Sequence, residues 1–197
     1  MKRVLMLLKL LFESIRCLPH LILFHLHSNR KLIWKDTLRW LHCYHISHTK
    51  SIGFIYLLGF HPEFRNLFYK RVGIWGNILN LICPKMSTLF ITTEVIGEGL
   101  FIQHGFATYI AAKAIGNNCW INQQVTIGYS STLGLPVLLD NVVVNAGAKV
   151  IGNVTIGNNS KIGANAVVVK DVPDNCVVVG VPAYIVRRNG QRVNEIL

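Results

Sequence analysis

An aliphatic residue recurs every six positions in the second half of the chain, and this period excludes most folds. An α-helix needs apolar spacings of three and four residues, and an amphipathic strand needs alternation. A period of six suits a chain that forms a short strand, turns a corner and repeats, so that stacked coils enclose one continuous core. The clearest aliphatic positions are Leu138, Val144, Val150, Ile156, Ile162 and Val168.

Small or β-branched residues stand four positions after these aliphatic residues, as expected near the corners of a coil. They are Val142, Ala148, Val154, Ser160, Ala166 and Val172. Two further runs have the same period, one at Phe90, Ile96 and Ile102 and one at Tyr109, Ile115, Ile121 and Ile127. One extra residue separates these two runs, and residues 129–136 must leave the repeat as a loop. We therefore predict a parallel β-helix over residues 89–186 and a C-terminal tail over residues 187–197.

The first half of the chain differs in composition and periodicity. Residues 1–89 hold 13 Lys/Arg and 3 Asp/Glu, so they carry nearly all of the net charge of +11. Apolar spacing predicts helices near residues 31–44, 52–60 and 63–71, with Pro62 at a helix start. We expect residues 1–88 to form a basic helical region. The charge favours either a solvated face or an anionic lipid or substrate, and no recognition motif supports nucleic acid.

Residues 1–27 predict an amphipathic helix that does not span a membrane. Lys9, Glu13 and Arg16 interrupt the apolar run, and no small-residue cleavage site follows it. The helix could pack against protein or another subunit, or lie on the inner membrane face as a peripheral contact. The five cysteines include no C-x-x-C pair, which indicates a reducing cytoplasm and neither a disulfide framework nor a metal site.

Five segments of the repeat half resemble the serine acetyltransferase branch of the hexapeptide-repeat acyltransferases. They are residues 102–105 (IQHG), 125–128 (VTIG), 146–152 (AGAKVIG), 162–173 (IGANAVVVKDVP) and 180–183 (GVPA). The resemblance implies a left-handed parallel β-helix, a homotrimer or a dimer of such trimers, and acetyl-CoA bound in a cleft between subunits. With the helical first half, the expected fold class is α+β.

His104 matches the catalytic histidine of that branch, and it is the single histidine after residue 61. An imidazole can take the proton of a hydroxyl near neutral pH as that hydroxyl attacks a thioester. Glu98 and Asp140 are candidates to orient the ring. The expected acceptor contacts are Gln103, Asn122, Gln123, Tyr129 and Ser130. The resemblance implies cofactor contacts at Ala146, Gly147, Ala148, Ala164, Lys170, Arg187 and Arg188.

The sequence departs from that branch at three positions. Gln103 stands where an aspartate is usual, and Gly134 and Leu135 stand where an arginine and a histidine are usual. Because that cation would bind an amino acid carboxylate, we predict O-acetyl transfer to a glycan or nucleotide-sugar hydroxyl in polysaccharide biosynthesis. Serine O-acetyltransferase is the alternative, and a non-catalytic trimeric scaffold is the second alternative.

Overall fold

Two compact units make up the chain in this computed structural model, Met1–Met86 and Ser87–Leu197. The structure describes residues 2–47, 50–130 and 134–197. Within the described residues, the first unit contains six helices, close to those predicted from apolar spacing. They are α1 (Lys2–Arg16), α2 (Leu18–Leu26), α3 (Arg30–Cys43), α4 (Lys50–Phe60), α5 (Pro62–Val72) and α6 (Ile74–Leu79).

Aromatic side chains fill the core of the helical unit. Phe54 of α4 stacks on Phe24 with ring centroids 4.7 Å apart, and it meets Phe64 and Phe68 of α5 edge-on. Trp40 of α3 is fully buried and packs edge-on against Phe64 at 5.2 Å. Large aromatic rings bury much apolar surface each, so a few of them can hold short helices together. Pro62 opens α5 as predicted, since the first helical turn does not need its missing N–H.

The apolar side of α1 faces away from the core of its own unit. Leu8, Leu11, Phe12 and Ile15 are all more than half exposed, whereas the Glu13 side chain is largely covered. The prediction of an amphipathic helix therefore holds over residues 8–16, with its apolar side outward. No helix in the described ranges combines the length and hydropathy required to cross a bilayer.

The second unit is a parallel β-helix whose strands form three sheets. The first sheet joins β1 (Leu89–Ile91), β4 (Thr108–Ile110), β7 (Thr126–Gly128), β10 (Lys149–Ile151) and β13 (Val167–Val168). The second joins β2 (Val95–Ile96), β5 (Ala114–Ile115), β8 (Val137–Leu138) and β11 (Thr155–Ile156). The third joins β3 (Phe101–Ile102), β6 (Trp120–Ile121), β9 (Val143–Val144), β12 (Lys161–Ile162) and β14 (Cys176–Val179), then β15 (Tyr184–Arg188) and β16 (Gln191–Ile196).

The end of the chain differs from the expected tail. Residues 187–197 belong largely to β15 and β16, which pair antiparallel and extend the third sheet beyond β14. The hairpin thus covers the open end of the third sheet, which would otherwise present unpaired backbone groups.

The predicted aliphatic positions form the core of the β-helix. One ladder consists of residues that are completely buried and lie in register on the third sheet: Ile102, Ile121, Val144, Ile162 and Val178. The predicted register is wrong at Phe90 and Tyr109, because Ile91 and Ile110 pair at the inward position and both aromatic rings are exposed. Ile91 to Ile96 and Ile110 to Ile115 are steps of five residues, where the pattern assumed six, and these shorter steps shift the frame by one residue.

Polar side chains stack at the corner between the second and third sheets. Asn141 donates to Asn159 at 3.1 Å, and Asn159 donates to Asn175 at 3.0 Å, each with a positive φ of 56–59°. Asparagine tolerates this backbone conformation better than most residues, so it fits tight corners. Asp140 accepts hydrogen bonds from the backbone and side chain of Asn117. These contacts tie successive coils together outside the apolar core.

Candidate functional site

The connections from the third sheet to the first form one edge of the β-helix. This His104 edge consists of residues 103–107, 122–125, 145–148 and 163–166, one segment from each of four successive coils. Adjacent coils are about 4.8 Å apart, so the edge extends about 14 Å from the first of these segments to the fourth. An edge of this length suits contact with an extended, flexible ligand such as the pantetheine arm of coenzyme A.

His104 lies at one end of this edge and is exposed. Its φ of 62° is uncommon for a residue other than glycine, and such conformations cluster at functional sites. Within the described ranges, no hydrogen bond to the imidazole ring is found, so the ring is available to a ligand. Five residues separate Ile102 from the next strand here, compared with four in the following coils, so the connection that carries the histidine is one residue longer.

Three predicted acceptor contacts share the edge with His104. The backbone N–H of Gln103 donates to Ile121, and that of Asn122 donates to Val144, each at 2.9 Å, so the two side chains occupy equivalent places in adjacent coils. Gln123 follows in the same segment as Asn122. The structure therefore places Gln103, Asn122 and Gln123 on the same edge as His104.

Sequence reasoning missed Asn145 on the same edge. Its side-chain oxygen accepts a hydrogen bond from Asn122 at 3.3 Å, and its amide donates to the carbonyl of Ile162 at 2.7 Å. The Trp120 indole donates to the Asn122 oxygen at 3.2 Å, which fixes the other side of that amide. The sequence feature that could have indicated Asn145 is its equivalence with Asn122, because both residues directly follow a strand of the third sheet.

The predicted pantetheine contacts also lie on the His104 edge. Gly147 donates its N–H to the carbonyl of Gln123 at 3.0 Å, and Asn165 donates to the carbonyl of Ala146 at 2.9 Å. Ala146 is half-buried and Ala164 is exposed, so both can contact a ligand. Ala148 is completely buried, because its methyl group faces the inside of the β-helix.

The predicted cationic contacts lie at the far end of the β-helix and already have partners. Lys170 donates to the carbonyl of Leu197 at 2.5 Å. Arg188 forms an ion pair with Glu195 at 2.5 Å, and Arg187 donates to the carbonyl of Gly190 at 3.3 Å. All three are at least partly exposed, so a phosphate could compete for them at modest cost.

Tyr129 and Ser130 do not share the corner of His104 within one chain. They follow β7, whose three residues separate the His104 edge from the next corner by about 10 Å. Both side chains are exposed at the start of the predicted loop. The remaining hydroxyl residues of that loop, at positions 131 and 132, lie outside the described residues.

Neither predicted acidic partner of His104 is at its corner. Asp140 and the backbone of Glu98 both hydrogen bond to Asn117, between the second and third sheets. His104 stands between the third and first sheets, at the opposite end of strand β3. Within a single chain, these carboxylates are therefore not placed to orient the ring.

Comparison with known proteins identifies the repeat. The family described as "Bacterial transferase hexapeptide (six repeats)" matches residues 136–170. A serine acetyltransferase of Synechococcus elongatus is 39% identical over 150 residues, which cover 69% of this chain and 62% of that protein. A serine acetyltransferase of Staphylococcus xylosus is 43% identical over 132 residues, covering 60% and 59%. The chain thus spans about three fifths of the length of these curated relatives.

A solved structure gives the same result at the level of the fold. The serine acetyltransferase of Neisseria gonorrhoeae in complex with serine superposes with a TM-score of 0.61 and 30% identity. The match covers 78% of this chain and 67% of that one, and therefore includes residues outside the hexapeptide repeat.

These relatives overturn the predicted acceptor. The prediction of a glycan or nucleotide-sugar acceptor, and of a role in polysaccharide biosynthesis, is wrong because the similar proteins are named serine acetyltransferases. It relied on the missing side chains at Gly134 and Leu135, and the loss of one cation does not by itself change the class of substrate. On this similarity of sequence and fold, the chain belongs to the serine acetyltransferase branch of the hexapeptide-repeat acyltransferases, which have a left-handed parallel β-helix.

Proposed function

We propose that this protein transfers the acetyl group of acetyl-CoA to the side-chain hydroxyl of L-serine. The observation that carries the proposal is the exposed His104 at the end of an edge that also holds Gln103, Asn122 and Gly147. The named relatives support the same reaction, and solved serine acetyltransferases contain serine in one case and CoA in another. The products are O-acetyl-L-serine and free CoA.

His104 would act as the general base. Its imidazole takes the hydroxyl proton as the serine oxygen attacks the thioester carbonyl, and a tetrahedral intermediate forms. When the C–S bond breaks, the imidazolium returns that proton to the departing CoA sulfur. Asn122, one coil from His104, is held by hydrogen bonds with Asn145 and Trp120, so its amide is a fixed polar group beside the reaction.

The proposed assembly is a homotrimer that works in the cytoplasm. The His104 edge is exposed in one chain, and a cleft that excludes water requires a second surface opposite it. A neighbouring β-helix would supply that surface. Acetyl-CoA and reduced cysteines both belong to the cytoplasmic compartment, and none of the described cysteines forms a disulfide.

The direct test measures thiol release from acetyl-CoA by the purified full-length protein, with and without L-serine. We expect serine-dependent release of CoA and formation of O-acetyl-L-serine, detected by mass spectrometry. Light scattering during size-exclusion chromatography should give the mass of three chains or a multiple of it. Acetyl-CoA binding by a folded trimer without turnover of L-serine would refute the proposal and favour a non-catalytic scaffold.

Substitution of Gly147 should weaken acetyl-CoA binding. A Cβ at this position would lie 1.9 Å from the Asn165 side-chain oxygen, and the φ of +73° strains any residue with a Cβ. The Gly147→Ala variant should therefore raise the Kd of acetyl-CoA by about tenfold or more, equivalent to about 1.4 kcal/mol. Isothermal titration calorimetry measures this change.

Gly73→Ala is the matched control for Gly147→Ala. Gly73 of the helical unit also has a positive φ, of +61°, but a Cβ there would meet nothing within 4 Å. It shares the backbone strain of the Gly147 variant and lacks the clash on the His104 edge. Equal losses of acetyl-CoA affinity in the two variants would mean that strain alone acts, and that the edge does not hold the cofactor.

A further inference from the structure

Two cysteines and a histidine meet inside the helical unit. Cys17 lies between α1 and α2, His20 is in the first turn of α2, and Cys83 follows α6. All three are completely buried. The Sγ atoms of Cys17 and Cys83 are 3.7 Å apart, and the three possible ligand atoms all lie within 4.8 Å of one another.

The hydrogen bonds around His20 determine which nitrogen could bind a ligand. The Tyr69 hydroxyl donates its single proton to the carbonyl of Cys83 at 2.6 Å. Its oxygen therefore accepts from the Nε2–H of His20 at 2.9 Å, and this tautomer leaves a lone pair on Nδ1. Nδ1 is buried and has no hydrogen-bond partner in the described part of the chain. A buried, unpaired lone pair is costly unless something binds it.

The separation of the two sulfurs fits a tetrahedral metal site. With metal–sulfur bonds of about 2.3 Å and tetrahedral angles, two thiolate ligands stand about 3.7–3.8 Å apart. A disulfide bond is about 2.05 Å long, so the two sulfurs are in contact but not bonded to each other. With a metal–nitrogen bond of about 2.05 Å, the nitrogen stands about 3.6 Å from each sulfur, within the observed limit. We propose that Cys17, His20 and Cys83 bind a zinc ion.

The donor set and its charge favour zinc. Two thiolates and one neutral imidazole are the soft and borderline ligands that Zn²⁺ takes in proteins. Two thiolates also neutralise the ion, so the buried centre carries no net charge. Tyr69 orients the imidazole through its second nitrogen, an arrangement typical of metal-binding histidines. Three protein ligands leave the fourth tetrahedral position for water or a small ligand.

The site would fasten the beginning of the helical unit to its end. Cys17 and Cys83 are 66 residues apart in sequence, and the five intervening helices α2 to α6 form most of the aromatic core. A metal bound by both ends stabilises the folded unit in proportion to its affinity and concentration. The ion would stabilise the helical unit and take no part in the acetyl transfer.

Metal analysis of the full-length protein tests this proposal. After incubation of the reduced protein with ZnCl₂ and gel filtration, we expect about one zinc per chain by plasma mass spectrometry. Cys17→Ser, Cys83→Ser and His20→Asn should each weaken zinc binding by about 100-fold or more, and Tyr69→Phe by about 10–100-fold. Cobalt substitution should give a thiolate-to-metal absorption band that Cys17→Ser abolishes. Cys43→Ser, in the same unit but outside the cluster, should bind zinc as the natural protein does.

Three outcomes would overturn the proposal. The first is reduced natural protein that retains no zinc, and the second is equal zinc content in Cys17→Ser and the natural protein. The third is a spontaneous disulfide between Cys17 and Cys83 in protein that binds no metal, which would identify a redox pair. If the ligand variants fail to fold, a chelator should lower the Tm of the natural protein, and added zinc should restore it. An unchanged Tm under both treatments counts against the site.

Discussion

The His104→Asn variant should lose serine acetylation by about 10²–10⁴-fold in kcat, because it lacks a group able to take the hydroxyl proton. Asparagine is the sharper choice than alanine at this position. The backbone φ of 62° is one that asparagine adopts readily, so the lengthened corner should keep its shape. The measurement is CoA release at saturating acetyl-CoA over a series of L-serine concentrations.

Binding and assembly should survive the loss of the histidine. We expect the Kd of acetyl-CoA and the mass of the assembly to match those of the natural protein. Asn118→Ala is the matched control, since Asn118 is also exposed with a φ of 54° but lies at the corner between the second and third sheets. It should retain full activity. Full activity in folded His104→Asn protein would exclude the histidine as the base.

The six-residue period was sufficient to predict the β-helix because each repeat of the pattern depends only on residues close together in sequence. A buried aliphatic residue, a corner and a small residue repeat within one coil, so Ile156 and Ile162 could be assigned to the core directly. The frame failed at Phe90 and Tyr109 for an equally local reason. The steps from Ile91 to Ile96 and from Ile110 to Ile115 are one residue shorter than the pattern assumed, and the sequence does not state which side of a coil lacks a residue.

The interior contacts of the helical unit could not be predicted in this way. Apolar spacing located α3, α4 and α5 to within about two residues, the usual accuracy for strongly periodic helices. The partners of Cys17 and of Asp36 lie 66 and 35 residues further along the chain, and no local pattern connects them. Only the packing of the helices shows that two cysteines and a histidine from distant positions lie close together.

The Asp36→Ala variant should lower the free energy of unfolding of the helical unit by about 3–5 kcal/mol, since it leaves a buried guanidinium without its carboxylate. Asp36 of α3 and Arg71 of α5 form two contacts, at 2.8 and 3.3 Å, and both side chains are more than 90% buried. Urea denaturation followed by tryptophan fluorescence measures the change. A Trp120→Phe background removes the one tryptophan of the β-helix, so that emission reports on Trp40 and its neighbours in the helical unit.

Two comparisons test whether the loss of stability comes from the burial of the ion pair or from the short distance between its charges. Arg188 and Glu195 are closer, at 2.5 Å, but more than a third of each side chain is exposed. Because water already solvates that pair, Arg188→Ala should leave the stability of the protein nearly unchanged. The double variant Asp36→Leu/Arg71→Met should recover most of the stability that Asp36→Ala loses, since it removes both buried charges and fills their space. If the double variant is as unstable as Asp36→Ala, the loss comes from the surrounding packing and not from an unpaired charge.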